Sequence, residues 1–478
     1  MNVDLKMSER PQLKKTIGRL GFFSLAFGSM IGVGWITGLH GMFQNAGPVG
    51  TMIAFVAGGF LMIAIGLCYA QAMQILPVTG GEVAYAYKAY GTGKAFIVGW
   101  CLAIGYLSVS AFEAVSIGVV ISYLIDVNTW PLYELEGTTV YGSHVILAFL
   151  FTGAISLINY LGVGLATRVQ TYLTILLIGF AAAFVFAGCS QGQLSNLEPI
   201  FGKPEMATAF SGILAVFVTV PFWFVGFDTI PQAAEERAEH FPASRLGKLL
   251  ILAIAGSTVF YLLVFLSVGM TSPWPAIVNE NLPTAAAFRL AFGSPFWERI
   301  VLMVGLIGLL TSWNGFFLSG CRVLFAMGRG NIIHPAFAKT HPKYGTPTVA
   351  IIFSGAITFI GSLMGKYAIT LFVDVGSFCI ALAFLGVALS LPKIKQNSDI
   401  EDSLLNRMVP LIAGVGSAFI LLAMVMPGSP AMLSWPTEWG VLALVFIGGL
   451  ILWVMSKKVR ENVPEEQRRM LILNEKNN

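Results

Sequence analysis

The sequence predicts an all-α polytopic membrane protein of twelve transmembrane helices, and three observations carry that prediction. Of 478 residues, 56% are hydrophobic and 11% charged, where a soluble domain carries roughly 25% charge. The apolar residues gather into runs of spanning length near 20–43, 48–76, 95–125, 143–161, 166–189, 208–234, 246–271, 298–326, 347–365, 367–391, 408–427 and 436–456. The cations are also sorted by side. An even number of spans puts both ends on one side, and of 28 Lys and Arg only Lys203, Arg289, Arg299 and Lys366 fall on the other. The positive-inside rule makes the crowded side cytoplasmic, and the chain a multi-pass protein of the cytoplasmic membrane.

The chain opens with a polar, basic arm at 1–19 that lacks the apolar region and cleavage site of a signal peptide. Residues 20–391 form a ten-helix core, 408–456 hold two further helices, and 457–478 make a short charged tail expected to be mobile. Two connections on the basic side have character. Thr79 to Gly91 (TGGEVAYAYKAYG) sets Tyr85, Tyr87 and Tyr90 beside Lys88 and reads as an interfacial helix with its rings at headgroup level. Arg329 to Pro347 is basic and marked by prolines. The loop at 127–142, with Trp130, Tyr133, Glu134 and Glu136, reads as ordinary interface. The five cysteines stand singly in apolar runs and suggest neither a disulfide framework nor a CxxC metal site. The five histidines lie near span ends or in loops and form no HExxH. With a net charge of only +4, the expected partners are the lipid bilayer and a small molecule, not nucleic acid. Oligomeric state is not legible.

Two spans are built wrongly for simple anchors. Gly28-Ser29-Met30-Ile31-Gly32-Val33-Gly34 lies in the middle of the first. Each glycine in a helix interior costs about 1 kcal/mol relative to alanine. Backbone groups freed from a helix inside a bilayer find no water there. Such a break is tolerated where it lines a cavity, and its peptide groups can then hold a polar substrate or ion. The sixth span, FSGILAVFVTVPFWFVGFDTIPQAAEE, carries Pro221, Gly226, Asp228 and Pro231. An interior proline removes a donor and costs about 3 kcal/mol. The two interrupted spans are an odd number of helices apart, so a second unit beginning at the sixth enters the membrane inverted. Matched interruptions in inverted units point to a transporter's binding site.

The helix dipoles then predict the ligand. The second half of span 1 begins near Gly34 with its positive end at mid-membrane, and the first half of span 6 ends near Phe224 and Val225 with its negative end there. N–H groups of Gly32, Val33 and Gly34 suit a carboxylate. Carbonyls of Met30, Phe222 and Val225 suit an ammonium. That argues for amino acids or related amines over sugars. Acids within a span cost at least ~3 kcal/mol on insertion scales, which singles out Asp228 for a substrate or gating role. Glu113, in SVSAFEAVSIG, could carry a proton, meet a basic group or hold a backbone donor. Asp374 lies near a span end.

These stretches resemble the amino acid–polyamine–organocation superfamily of secondary transporters. GSMIGVGW is similar to its glycine-rich unwound segment, and FWFVGFDTIPQAAEE to its aromatic-glycine-acidic break. PVTGGEVAYAY and RGNIIHPAFAKTHPKYGTP are similar to its cytoplasmic signatures. The resemblance spans nearly the whole chain. It implies a five-plus-five inverted-repeat core, with repeat one near 20–189 and repeat two near 208–391, and helices 1 and 6 unwound. It also implies a lid drawn from Phe222, Trp223, Phe224 and Phe227, as gating or coupling residues beside Glu113. Sodium-coupled relatives imply a candidate ion position at the Gly28 and Ile31 carbonyls with the Thr311 and Ser312 hydroxyls. Proton-coupled relatives imply a helix-5 lysine, where this chain has Leu177. The coupling ion, H⁺ or Na⁺, stays open, and no other cofactor is implied.

Each of these residues also has a plainer reading. The glycines could serve close helix packing, Asp228 could cap the break, and Thr311 and Ser312 could bond to the preceding turn. Glu235, Glu236 and Arg237 could be one cytoplasmic charge cluster at the surface, with a gate as the sharper reading. The expected function is alternating-access uptake of amino acids or amines, with an exchanger of the same fold and a non-transporting sensor as alternatives. No nucleophile–base pair or metal set lies within the spans, which argues against an enzyme.

Overall fold

In a bilayer an apolar run of this length is stable only when it closes its own backbone hydrogen bonds, and the chain does so as helices. The computed structural model describes residues 10–202, 206–280, 282–396, 398, 403–429 and 431–475, with the side chains of 206, 207 and 405 left aside. The first span is split into α1 (Arg19–Met30) and α2 (Gly34–Thr37), followed by α3 (Leu39–Ile75), the short α4 (Gly81–Tyr90) and α5 (Thr92–Ser122). Next come α6 (Gly142–Leu161) and α7 (Val163–Gln191). The sixth span is in three pieces, α8 (Met206–Phe217), α9 (Val220–Phe224) and α10 (Thr229–Gln232). Beyond α11 (Leu246–Thr271), the connection holds α12 (Trp274–Ile277) and α13 (Pro283–Phe292). Then follow α14 (Pro295–Arg329), α15 (Thr348–Ser362), α16 (Ala368–Lys395), α17 (Leu404–Val425) and α18 (Thr437–Met455). The tail forms α19 (Lys457–Glu461) and α20 (Glu465–Leu473).

Eleven helices among the described residues are long and apolar enough to cross a membrane. The expected ninth span, α15, is apolar but has 15 residues. At 1.5 Å per residue it is about 22 Å long, short of a ~30 Å hydrocarbon core. Within α3 the chain turns at Gly47, whose φ of 69° is open to glycine. Any Cβ there would meet the backbone of Phe201 and Gly202 at 2.6 Å.

The centre is built from α5, α14, α3, α11, α16 and α1, which pack on one another and bury Trp35, Trp313, Tyr106 and Tyr261 almost completely. The outer helices α6, α7, α17 and α18 turn Leu157, Tyr172, Leu422 and Leu444 outward, as lipid-facing surfaces do.

One loop gains regular structure, and two expectations are corrected. The loop at 127–142 contains a β-hairpin, β1 (Pro131–Leu135) with β2 (Thr138–Tyr141). Its turn residues Glu136 and Gly137 both have positive φ, as two-residue hairpins favour. The α4 helix is not interfacial: Glu82, Tyr85 and Tyr87 are buried and only Tyr90 is exposed. Its small residues let it sink against α5 and α16, with Gly81 on Pro231 and Val83 on Gly99. The tail is docked, because Leu471, Ile472 and Leu473 are buried. Tyr87 donates to Glu465 at 2.6 Å and Arg10 donates to the Leu471 carbonyl at 2.9 Å. Both ends of the described chain therefore share one face.

That face is closed by ion pairs. Glu235, Glu236 and Arg237 do not form one surface cluster. Glu236 pairs with Arg322 at 2.8 Å, both almost fully buried. Glu235 pairs with Arg329 at 2.7 Å and with Arg10 at 2.6 Å. Arg322 and Arg329 stand seven residues apart, so α14 presents both on one side. Removing one partner of a buried pair strands a charge and costs about 3–5 kcal/mol.

Burial pushes the Glu235 carboxyl up, but Arg329 and then Arg10 outweigh it and hold it at about 2, against an ordinary 4.5. A depressed carboxyl contributes stability above its unfolded value and loses it as pH falls through the folded one. Thermal melts in detergent are therefore expected to show an acid limb between pH 4.5 and about 2 that Glu235→Gln removes. An unchanged limb in the variant would mean that Glu235 does not control it.

Candidate functional site

The first span unwinds where its glycines are densest. The α1 helix ends at Met30, Ile31 is non-helical (φ −109°, ψ 80°), and helix resumes at Gly34 after Val33. The sixth span unwinds between α9 and α10. Val225 is extended (ψ 143°) and Gly226 has a φ of 127° that a side chain rarely adopts. The freed peptide groups are held locally. Asp228 accepts from the Gly226 N–H at 2.8 Å, and Thr229 donates to the Gly226 carbonyl at 2.6 Å. Asp228 thus holds a peptide group of the break, while its side chain makes no capping bond to α10. Its carboxylate is also faced by the Tyr106 hydroxyl, and Oδ2 has no hydrogen bond.

The two breaks meet. A Cβ on Gly226 would stand 2.8 Å from the Met30 nitrogen and 2.9 Å from Ser29. Tyr261 of α11 ties them together. Its hydroxyl lies 2.8 Å from the Met30 carbonyl and 3.1 Å from that of Trp223, so one proton serves carbonyls of both interrupted helices. On the other side the Ile31 and Gly32 carbonyls face Gly308 of α14, where a Cβ would stand 3.1 and 2.7 Å from them.

Glu113 of α5 and Ser312 of α14 converge on Gly32, where a Cβ would stand 2.6 Å from Glu113 Oε1 and 3.0 Å from Ser312 Oγ. Glu113 is buried, and its Oε2 has no hydrogen bond among the described residues. Among the four aromatics named from the sequence, Trp223 lies with its ring against Gly34 and Gly38. Phe222 turns toward Phe112, Ser108 and Gly376. Phe224 packs on Phe55 and Tyr261, and Phe227 on Tyr69 and Phe384. Where the first span passes into α3, a vestibule of about 410 Å³ is lined by Thr37, His40, Tyr123, Glu280 and Lys366.

Gly28 and Thr311 lie on a different seam from Ser312. A Cβ on Gly28 would stand 2.6 Å from Gln170 Nε2 and 3.2 Å from the Thr311 Cβ. Thr311 donates to the Gly308 carbonyl at 2.7 Å, the back-bond its plainer reading expected. The α7 helix reaches this seam through Gln170 and Thr174. Gln170 donates to the Ser24 and Thr311 carbonyls at 3.2 and 3.0 Å and accepts from Asn314 at 2.8 Å. Asp374 lies away from both breaks, beside Glu438.

Tyr261, Gln170 and Glu82 were not singled out from the sequence. Glu82 carried a signal, being an acid within an apolar and aromatic stretch. It is fully buried, meets Gln232 and is faced by the Tyr69 hydroxyl. Tyr261 and Gln170 carried none, since tyrosines and glutamines within spans do not announce their partners. Among the described residues no group of three or more His, Cys, Asp or Glu is placed to hold a metal ion.

Comparison with known proteins matches residues 17–454 to the family model described as amino acid permease. The branched-chain amino acid permease BcaP of Bacillus subtilis is 28% identical over 460 residues, covering 94% of this chain and 95% of that protein. A methylthioribose transporter of the same organism is 26% identical over 467 residues, with 94% and 95% covered. Its glutamate/serine transporter AimA is 25% identical over 474 residues, with 94% and 83% covered.

Gly226→Ala is expected to force the two breaks apart, because the added carbon meets backbone rather than a movable side chain. A strained, positive-φ position of this kind costs about 1–3 kcal/mol before any clash. The expected readout is a lowered melting temperature in detergent. A variant that melts like the parent would show that the breaks do not press on each other there.

Proposed function

The chain belongs to the amino acid permease family, within the amino acid–polyamine–organocation superfamily, and from that premise we propose that it is a secondary active transporter of amino acids or related amines working by alternating access. The observation that carries this reading is the contact of two unwound segments, Ile31–Val33 and Val225–Asp228, deep within the bundle. Peptide dipoles exposed there suit a zwitterion. The substrate carboxylate takes N–H groups of Gly32, Val33 and Gly34, and its ammonium takes carbonyls of Phe222 and Val225. Met30 contributes its second lone pair, since Tyr261 holds the first.

Trp223 is the lid on the vestibule side, and Phe222 with Ser108 and Gly376 borders the substrate's side chain. We read the face of the termini as cytoplasmic, from its positive charge, and α15 as the short ninth span of a five-plus-five core, which brings the total to twelve. Release on that face then requires the Arg322–Glu236 and Arg329–Glu235–Arg10 pairs to open. For coupling, the buried Glu113 beside Gly32 supports a proton carrier better than the Thr311 seam supports sodium, because Gln170 already occupies that seam.

Reconstituted uptake, screened across amino acids and polyamines with and without sodium and a pH gradient, tests the reading. Gly32→Phe and Gly34→Phe are expected to reduce saturable uptake to background while the protein still inserts and purifies. Normal uptake in both would sink the assignment.

Glu113→Gln is expected to abolish pH-driven accumulation while counterflow in preloaded vesicles survives. Sodium-driven accumulation untouched by that variant would overturn the proton assignment. Strong trans-stimulation with no ion dependence would favour the exchanger.

A further inference from the structure

The face that carries both termini holds a cavity of about 740 Å³, within the range of small-ligand sites. Its walls come from six places: the N-terminal arm, the connection after α3, α4, the end of span 6, the end of α16 and the tail. Six cations line it, Arg10, Lys15, Lys88, Arg237, Lys393 and Arg469, against two carboxylates, Glu235 and Glu475. Neither carboxylate is free to neutralise the excess. Glu235 is shared by Arg10 and Arg329, and Glu475 by Lys88 and Arg469.

Lys15 and Arg237 have no side-chain partner among the described residues, and Lys393 lies over the Tyr90 ring at 4.0 Å. Burial and then the nearby Arg329 pull the Arg10 guanidinium below its ordinary value, against the opposing pull of Glu235. A cleft lined by one sign of charge and backed by apolar residues focuses its field and concentrates counter-ions. Here Leu13, Leu76 and Leu473 supply that backing.

We propose that this cavity binds a phosphate-bearing polyanion that bridges the arm, the end of span 6 and the tail. Several phosphate oxygens can accept charge-assisted hydrogen bonds from Lys15, Arg237 and Lys393 at once, which a single carboxylate cannot. The ligand is either a soluble polyphosphorylated molecule or an acidic lipid headgroup entering from the bilayer edge near Lys393. Glu235 is a wall of the cavity and also a member of the ion pairs that close this face. By cross-linking Lys15 of the arm, Arg237 of span 6 and Lys393, a bound polyanion holds the closed arrangement together. That regulatory consequence rests on the transport reading, whereas the binding itself does not.

The test uses the full chain in neutral detergent with sodium triphosphate, and in phosphatidylcholine nanodiscs with and without phosphatidylglycerol. Sulfate at matched ionic strength is the control for screening. Triphosphate is expected to raise the melting temperature of the parent and to bind saturably, with sulfate much weaker. The triple variant Lys15→Gln/Arg237→Gln/Lys393→Gln should melt like the parent without ligand and bind about tenfold or more weakly. The matching substitutions Lys15→Arg and Lys393→Arg should restore binding.

Stabilisation by phosphatidylglycerol alone, lost in the triple variant, would support the same site with the headgroup as its source. No stabilisation by either anion, or equal stabilisation of parent and variant, would overturn the proposal. In proteoliposomes, triphosphate on the terminal face should slow uptake by the parent and not by the variant. Intact binding with no uptake in any arm would count against the transport reading alone.

Discussion

The peptide groups of two interrupted helices have to be satisfied without water, and the rest of the molecule is arranged to meet that constraint. Ile31–Val33 and Val225–Asp228 unwind inside a bundle whose surroundings offer no solvent donor or acceptor. The solution is local and economical. Asp228 and Thr229 hold both peptide groups of Gly226, and Tyr261 spans from Met30 to Trp223. Under the proposed function, a polar ligand would use the amides at Gly32 to Gly34, which the helix breaks free from regular helix bonding.

The two ends of the bundle are treated differently. Toward the vestibule lined by Thr37 and His40, the first span is covered by the ring of Trp223 resting on Gly34 and Gly38. A side chain on glycine can swing aside by rotating its χ angles. On the terminal face the closure is made of buried arginine–glutamate pairs reinforced by the N-terminal arm and the docked tail. Opening there means separating charges in a poorly solvated place, so that face can be controlled by whatever alters its electrostatics. Glu235 serves in the ion pairs and in the wall of the basic cavity, which places both under one set of charges.

Polar side chains do more structural work than the 11% charged composition suggests. Gln170, Asn314 and Asn159 form a chain of amides between α7, α14 and α6. Glu82, Tyr69 and Gln232 form another cluster beneath the sixth span. Neutral amides cost less to bury than ions and still offer both donors and acceptors. They let small-residue helices approach closely without leaving carbonyls bare.

By itself the sequence determined the class of protein and the places where helices fail. Those are local properties: hydropathy over a spanning length, and the inability of glycine clusters and interior proline to continue a helix. Gly32, Gly226 and the break at Asp228 could be read off in that way. Tertiary structure alone decided which partners complete the site. Tyr261, Gln170 and the Glu113–Ser312 approach to Gly32 depend on how α11, α7, α5 and α14 rotate and slide against one another. No periodicity within one helix records that choice. The burial of α4 and the docking of the tail were misread for the same reason. An amphipathic segment shows which of its faces is apolar but not whether lipid or protein will cover it.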